Sequence, residues 1–138
     1  MKRYMSLDIG DRTIGIAVSD LLGLTAQGVE TIRRKSLEDD LKRLGELMDA
    51  YETKSLVSGL PKNMDGTEGD RCASVKEFMA EVKKAYPDVE VFFWDERLST
   101  VAATRSLIEA DVSRRKRKKV IDKMAAVFIL QGFLDSKR

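Results

Sequence analysis

Histidine is absent from the 138 residues of this sequence, and cysteine occurs once. Without an imidazole, Ser-His-Asp and Cys-His catalysis are excluded, as is every zinc site that needs a histidine ligand. A single cysteine, Cys72, forms neither an internal disulfide nor a thiolate cluster, so we interpret it as a bystander in a reducing, cytoplasmic protein. Hydrolytic chemistry must then rest on carboxylates, which hold hard cations such as Mg²⁺ or Mn²⁺.

Long hydrophobic runs are also absent. No apolar stretch approaches the ~18 residues of a membrane helix, and Asp8 follows the first residues too closely for a secretory signal. The composition, 43% hydrophobic and 35% charged, is typical of a globular protein. Neither a repeat nor a linker rich in Pro, Gly or Ser divides the sequence, so residues 1–138 are predicted to form one domain.

The charge is unevenly distributed. Residues 105–138 contain ten Lys or Arg and four Asp or Glu, a net charge of +6, whereas the remaining residues carry −4. The centre of the basic part is a run of six cations: Arg114, Arg115, Lys116, Arg117, Lys118 and Lys119. Such a run suits a polyanion. The alternative is a solvated loop without a partner.

The first twenty residues combine two strand-like runs with an aspartate. Alternation over 4–9 and over 13–19 predicts two strands joined by a tight turn. One face of the second strand carries only Thr13, Gly15, Ala17 and Ser19. If Asp8 lies on this small-residue side of a hairpin, its carboxylate faces an open floor suited to a metal or a phosphate. The alternative is a turn aspartate before glycine, which is a common structural feature.

The rest of the pattern predicts three more strands and four helices. The strands are predicted over 25–33, 55–59 and 89–94. The first helix follows an N-cap at Ser36, and the others are predicted over 68–85, 100–109 and 120–134. A loop is predicted over 60–71, and the basic run precedes the last helix. The order β-β-β-α-β-α-β-α-α predicts an α/β fold, with a five-stranded mixed sheet and helices on its faces.

Two further positions add carboxylates. Asp95 and Glu96 follow the fifth strand, and ligands of open α/β sheets collect beyond the carboxyl ends of strands. Alternation turns only one of the two toward the site and leaves open which one. Asp122 lies in line with Ala126, Ile129 and Phe133 on the apolar side of the last helix, which favours function over a dipole-stabilising acid at the helix start. Three such acids would form a two-metal phosphoryl-transfer site.

Four segments together resemble a known family. They are 8–20 (DIGDRTIGIAVSD), 59–66 (GLPKNMDG), 95–100 (DERLST) and 122–131 (DKMAAVFILQ). In this order they are similar to the YqgF (RuvX) family of Holliday-junction-resolvase-like proteins, over nearly the whole chain. The resemblance implies a ribonuclease H-like fold with strand order 3-2-1-4-5 and helices on both faces of the sheet.

The resemblance also implies a function and a site. The function is that of a cytoplasmic bacterial nuclease that processes the 5′ end of precursor 16S rRNA; cleavage of branched DNA is the older assignment. The implied catalytic and metal-binding acids are Asp8, Glu96 and Asp122, with Asp95 as the substitute for Glu96, and the implied cofactor is Mg²⁺ or Mn²⁺.

Cations would then bind the substrate. Arg12 and Arg97 either contact phosphates or pair with the carboxylates, and the run from Arg114 to Lys119 contacts the nucleic-acid backbone. The loop 59–66 either moves over the substrate or is a surface turn. The expected partner is precursor rRNA or branched DNA, with the ribosome as a further partner and no membrane. The sequence leaves open whether the substrate is RNA or DNA and whether the protein is a monomer or a homodimer.

Two rival functions remain at this point. One is a module of the same fold that binds nucleic acid, or acts in a transcription complex, without cleaving. Clustered acids oppose it, because they repel nucleic acid unless metal neutralises them. The other is a phosphotransferase of the actin and sugar-kinase type, which shares the Asp-x-Gly hairpin but needs two such lobes around ATP.

Overall fold

A computed structural model of the chain describes residues 2–98 and 114–137, with the backbone alone for 114–123. The helix predicted over 100–109 lies outside the described residues. The described elements are β1 (Tyr4–Ile9), β2 (Thr13–Ser19), β3 (Ala26–Arg33), α1 (Leu37–Ala50), β4 (Ser55–Leu60), α2 (Asp70–Ala85), β5 (Glu90–Asp95), a 3₁₀ turn (Glu96–Leu98) and α3 (Arg114–Ser136). No helix in the described ranges is both long enough and apolar enough to cross a membrane.

The five strands form one mixed sheet in the order β3-β2-β1-β4-β5, which confirms the predicted order. β1 pairs antiparallel with β2 and parallel with β4. β2 continues antiparallel to β3, and β4 parallel to β5. β1 and β4 therefore end at the same edge of the sheet, where ligands of such folds collect.

Helices cover both faces of the sheet, as predicted. On one face, α1 and α2 bury the apolar residues of the strands, Met5, Leu7 and Leu56 among them, together with Cys72. The other face carries Tyr4, Ala17 and Val57 and is covered by α3. The small side chains predicted for one side of β2 thus lie beneath a helix.

Local sequence signals account for the ends of several elements. Ser36 caps α1, since its Oγ accepts a hydrogen bond from the Asp39 amide at 3.1 Å. In the turn between β1 and β2, the Gly10 amide donates to the Thr13 carbonyl at 2.9 Å. A Cβ on Gly10 would lie 3.2 Å from that carbonyl oxygen, so the turn itself explains this glycine.

The last helix is longer than the sequence predicts. α3 begins at Arg114, not at residue 120, so the basic run forms its first turns instead of a separate segment. Asp122 is correspondingly about two turns inside the helix. Its explanation as an acid at the helix start is therefore wrong, because the dipole effect is confined to the first turn.

Candidate active site

Asp8 lies near the end of β1 on the face that α3 covers. Its side chain is buried, with 7% of its surface exposed. Two residues earlier on the same face, the Ser6 hydroxyl donates to the Ala126 carbonyl of α3 at 2.6 Å. Asp8 pairs across the hairpin with Gly15, and cross-strand partners share a face. The expected position of Asp8, on the small-residue side of the hairpin, is confirmed.

Glu96 reaches the same face from β5. Val57 of β4 packs against α3, and Gly59 shares that face two residues later. A Cβ on Gly59 would lie 3.4 Å from the Glu96 carboxyl carbon and would collide with Ile129 Cδ1. Extending the parallel register by one residue beyond the Leu7–Ser58 pair places Asp8 beside Gly59. The two carboxylates are therefore neighbours across a glycine.

Asp95 points elsewhere. It pairs with Leu60, whose side chain is buried on the face of α1 and α2. Its carboxylate accepts from the Arg97 amide at 2.9 Å and from the Arg97 guanidinium at 2.8 to 3.2 Å. The side chain of Arg97 lowers the pKa of Asp95, and the charge of nearby Lys62 adds to this effect. Asp95 thus serves the 3₁₀ turn that begins with Glu96, and of the two acids it is Glu96 that lies on the face of Asp8.

The apolar stripe of α3 forms as predicted. Ala126, Ile129 and Phe133 are all buried against the sheet, and the Phe133 ring meets the Tyr4 ring at 5.3 Å. Asp122 belongs to this stripe by helical periodicity. Its backbone lies within α3, but its side chain lies outside what the structure describes.

The predicted cations occupy different environments. Arg12 is exposed on the turn between β1 and β2. Arg97 pairs with Asp95, which is the carboxylate-pairing alternative, and also contacts the Met64 carbonyl at 3.4 Å. The side chains of the run Arg114, Arg115, Lys116, Arg117, Lys118 and Lys119 lie outside the described residues.

Lys62 is a cation that the sequence analysis missed. It lies two residues after the end of β4, with 26% of its side chain exposed and its Nζ 3.9 Å from Glu68. The sequence signal that could have found it was its position just beyond the carboxyl end of a buried strand, where ligands of such sheets bind. Its position beside Asp95 and Glu68 adds a positive charge to an edge rich in acids.

The loop after β4 is a hydrogen-bonded turn. The Asn63 amide donates to the Thr67 carbonyl at 2.9 Å, and the Asp65 carboxylate accepts from the Thr67 amide and hydroxyl at 2.9 and 2.6 Å. Gly66 adopts a φ of 91°, a conformation that favours glycine. These hydrogen bonds form a turn that follows the carboxyl end of β4.

The donor set suits a hard divalent cation. Within the side chains described, no group of three or more His, Cys, Asp or Glu is placed to hold a metal ion. The pair Asp8 and Glu96 nevertheless offers carboxylate oxygens beside a residue without a side chain, which is the oxygen chemistry that Mg²⁺ and Mn²⁺ prefer. Asp122 is the one predicted ligand whose side chain is not described.

Solved structures define the class of this fold. Thermus thermophilus RuvC in complex with a Holliday junction substrate matches with a TM-score of 0.62 and 11% identity, over 99% of this chain and 97% of that one. The fowlpox virus Holliday junction resolvase matches with a TM-score of 0.54 and 14% identity, over 99% of both chains. The chain therefore has the ribonuclease H-like fold of these resolvases.

Sequence comparison then identifies the family. The RuvX family, described as Holliday junction resolvase, matches residues 2–136, and the chain belongs to it. A Clostridium botulinum (strain Hall) relative is 58% identical over 134 residues, 97% of both chains. A Clostridioides difficile (strain 630) relative is 59% identical over 135 residues, 98% of this chain and 95% of its own. Both relatives carry the name of a proposed pre-16S rRNA nuclease.

Proposed function

We propose that this protein is a metal-dependent nuclease that processes the 5′ end of precursor 16S rRNA. The observation that carries the proposal is the placement of Asp8 and Glu96 as neighbours beside Gly59, beneath the helix that contains Asp122. The names of the relatives point to the same substrate. The family match over nearly the whole chain favours a nuclease over a phosphotransferase.

The path of α3 supports Asp122 as the third acid. Phe133 contacts Tyr4 and Ala126 contacts Ser6, so α3 runs antiparallel to β1. The four residues from Ala126 back to Asp122 cover about 6 Å, which matches the ~6.6 Å from Ser6 to Asp8 along the strand. Asp122 therefore belongs above Asp8, and we assign Asp8, Glu96 and Asp122 as the catalytic, metal-binding acids.

Each part of the site then has a chemical task. Divalent cations held by these carboxylates would neutralise charge on the scissile phosphate and activate water. Gly15, opposite Asp8 on the neighbouring strand, leaves room for the phosphate. Arg12 and Lys62 supply positive charge at the same edge, and the basic first turns of α3 follow the nucleic-acid backbone. An RNA-end substrate needs a single active site, so a monomer acting in the cytoplasm beside the assembling ribosome suffices.

The first experiment compares two substrates. A precursor 16S rRNA 5′-end fragment and a four-way DNA junction are incubated separately with Mn²⁺, Mg²⁺ or EDTA. The expected result is metal-dependent cleavage of the rRNA fragment alone. Preferential cleavage of the junction would support the resolvase function that the family description names. Binding of either substrate without cleavage would contradict the nuclease and favour the non-cleaving module.

Asp8→Asn is the matched variant for this experiment. It replaces a charged carboxylate, a proposed metal ligand, by a neutral amide, so the cleavage rate is expected to fall at least about 100-fold. Affinity for the same RNA is expected to stay equal or rise, because one negative charge is removed near the phosphates. Gel-based cleavage and equilibrium binding measure the two effects. Unchanged turnover would remove Asp8 from the site.

A further inference from the structure

One arginine outside the predicted site contacts both ends of the turn that follows Asp8. The Arg34 amide, just after β3, donates to the Arg12 carbonyl at 2.8 Å. The Arg34 guanidinium donates through Nη1 to the Gly10 carbonyl at 2.7 Å. The turn that carries Arg12 is thus clamped at Gly10 and at Arg12 by one residue.

A buried carboxylate holds this arginine in place. Asp40 of α1 has 3% of its side chain exposed, and its Oδ2 accepts from Arg34 Nε at 3.2 Å. Its Oδ1 accepts from the Lys35 amide at 3.1 Å. The guanidinium carbon also lies 5.0 Å from the centre of the Phe78 ring of α2. Asp40 and Phe78 therefore give the guanidinium one orientation, with its Nη1 toward Gly10.

We propose that Arg34 is a positioning residue of the nuclease: with Asp40 it sets the turn from Gly10 to Arg12, and through that turn it places Arg12 against the substrate phosphate. This inference rests on the function proposed above. The physical reason is the charge-assisted hydrogen bond that Arg34 donates to the carbonyl of Gly10, which lies two residues after Asp8. A turn held in advance lets Arg12 bind a phosphate without first losing conformational freedom.

The chain contains a matched control pair. Arg43 of α1 binds Glu30 of β3 through two hydrogen bonds, of 2.5 and 2.8 Å. This pair also joins α1 to β3, but neither residue contacts the turn from Gly10 to Arg12. If Arg34 acted only on stability, folded Arg34→Gln would cleave RNA as fast as folded Arg43→Gln, although it is expected to be the less stable of the two because it leaves the buried Asp40 without its guanidinium partner.

The test compares single-turnover cleavage of the rRNA fragment by the wild type, Arg34→Gln, Arg43→Gln, Arg12→Gln and the double variant R12Q/R34Q. We expect Arg34→Gln to lower kcat/KM about tenfold, mainly through KM, and Arg43→Gln to change it less than about twofold. In the R12Q background, Arg34→Gln should add less than about twofold, because its effect passes through Arg12. Equal losses in the two single variants, or additive losses in the double variant, would overturn the proposal.

A second readout is independent of cleavage. The Gly10 amide, which donates to the Thr13 carbonyl, should exchange its hydrogen about tenfold faster in Arg34→Gln and at the wild-type rate in Arg43→Gln. Unchanged exchange in Arg34→Gln would overturn the positioning role. Cleavage that is absent in the wild type would instead overturn the proposed function, while this exchange still tests the turn.

Circular dichroism establishes that each variant is folded. If Arg34→Gln does not fold, Arg34→Lys replaces it, because lysine keeps the charge but cannot bind Asp40 and Gly10 with a planar fork. Its kcat/KM is expected about threefold below the wild type, with faster Gly10 exchange. Wild-type values for both quantities in Arg34→Lys would overturn the proposal.

Discussion

Asp95 and Glu96 are adjacent acids with different surroundings. Asp95 is bound by the guanidinium and the amide of Arg97, whereas Glu96 lies beside Gly59 on the face of α3. The side chain of Arg97 lowers the pKa of Asp95, and this ion pair anchors the turn. Of the two acids, only Glu96 lies beside Gly59 on the face of α3, which is why the proposed function assigns metal binding to Glu96.

This division predicts unequal effects of two amide substitutions. Glu96→Gln should lower the cleavage rate about 100-fold or more, because a charged ligand is removed. Asp95→Asn should lower it less than about tenfold, because the amide keeps a hydrogen-bond acceptor for Arg97. Single-turnover rates at saturating metal measure both. A loss in a folded Asp95→Asn as large as that of Glu96→Gln would contradict the assignment.

Gly59 is the residue whose missing side chain makes room for Ile129 and for the Glu96 carboxyl group. In Gly59→Ala the new methyl would collide with Ile129 Cδ1 and lie 3.4 Å from the Glu96 carboxyl carbon. We expect a loss of about 1–3 kcal/mol in the free energy of unfolding, since Ile129 must shift, together with slower cleavage. Urea unfolding and cleavage rates measure these effects.

Gly69 provides the control for this substitution. A Cβ there would lie 3.6 Å from the Asn63 side chain, an ordinary contact, and the residue is the N-cap of α2. Gly69→Ser should leave stability unchanged or slightly higher, because serine is a preferred N-cap. If Gly59→Ala is as stable and active as Gly69→Ser, the space at Gly59 has no role in the site.

At the scale of elements, α3 combines a basic first part with a packed second half. Its second half packs on the sheet through Ala126, Ile129 and Phe133. Gln131 joins it to the start of β3: its side-chain amide donates to the Leu24 carbonyl at 2.9 Å and accepts from the Ala26 amide at 3.1 Å. Its first turns carry the run from Arg114 to Lys119. A packed helix thus extends a basic segment beyond the candidate active site.

Neutralising that run should weaken RNA binding. Replacing Arg114 to Lys119 by glutamine is expected to reduce the slope of log K against log salt by about 0.7 for each phosphate of single-stranded RNA that the protein no longer neutralises. The control variant K54Q/K84Q removes two exposed cations, 68% and 76% exposed, at the opposite end of the sheet. Fluorescence anisotropy over a salt series measures both slopes. Equal slopes for wild type and the run variant would exclude a backbone-binding role.

At the scale of the whole molecule, several carboxyl groups have a pKa below the ordinary value because of hydrogen bonds to their charged forms. They are Asp20, Glu30, Asp65, Glu68, Glu90 and Asp95. For Glu30 the first cause is the side chain of Arg43. At mildly acidic pH the unfolded chain therefore binds more protons than the folded one, so acidification favours unfolding.

The folded protein should accordingly lose stability in acid. The contribution of each of these carboxylates is fully present above its ordinary pKa, 4.5 for Glu30, and is lost as the pH falls through the lower folded-state value. Urea unfolding at pH 7 and pH 3.5 measures the loss, which should be smaller in Arg43→Gln and in 1 M NaCl. Equal stability at the two pH values would show that these pairs do not stabilise the fold.

The sequence by itself determined most of the secondary structure, because alternation and helical periodicity are local properties. The strand order 3-2-1-4-5 came with the family resemblance, and the sheet confirms it. The Ser36 cap and the position of Asp8 on the face of the small residues were also predicted correctly. The start of α3 was predicted wrongly, because a run of cations resembles a solvated loop unless the helix continues into a packed stripe.

Only the tertiary structure decided which face each acid lies on and which residues hold the turn after Asp8. Alternation could not say whether Asp95 or Glu96 lies on the face of Asp8. The contact of Glu96 with Gly59 and the ion pair of Asp95 with Arg97 show that it is Glu96. Nor could spacing link Arg34 and Asp40 to a turn more than twenty residues earlier. Both depend on contacts between residues that lie on different elements, and such contacts exist only once the sheet has formed and the helices have packed on it.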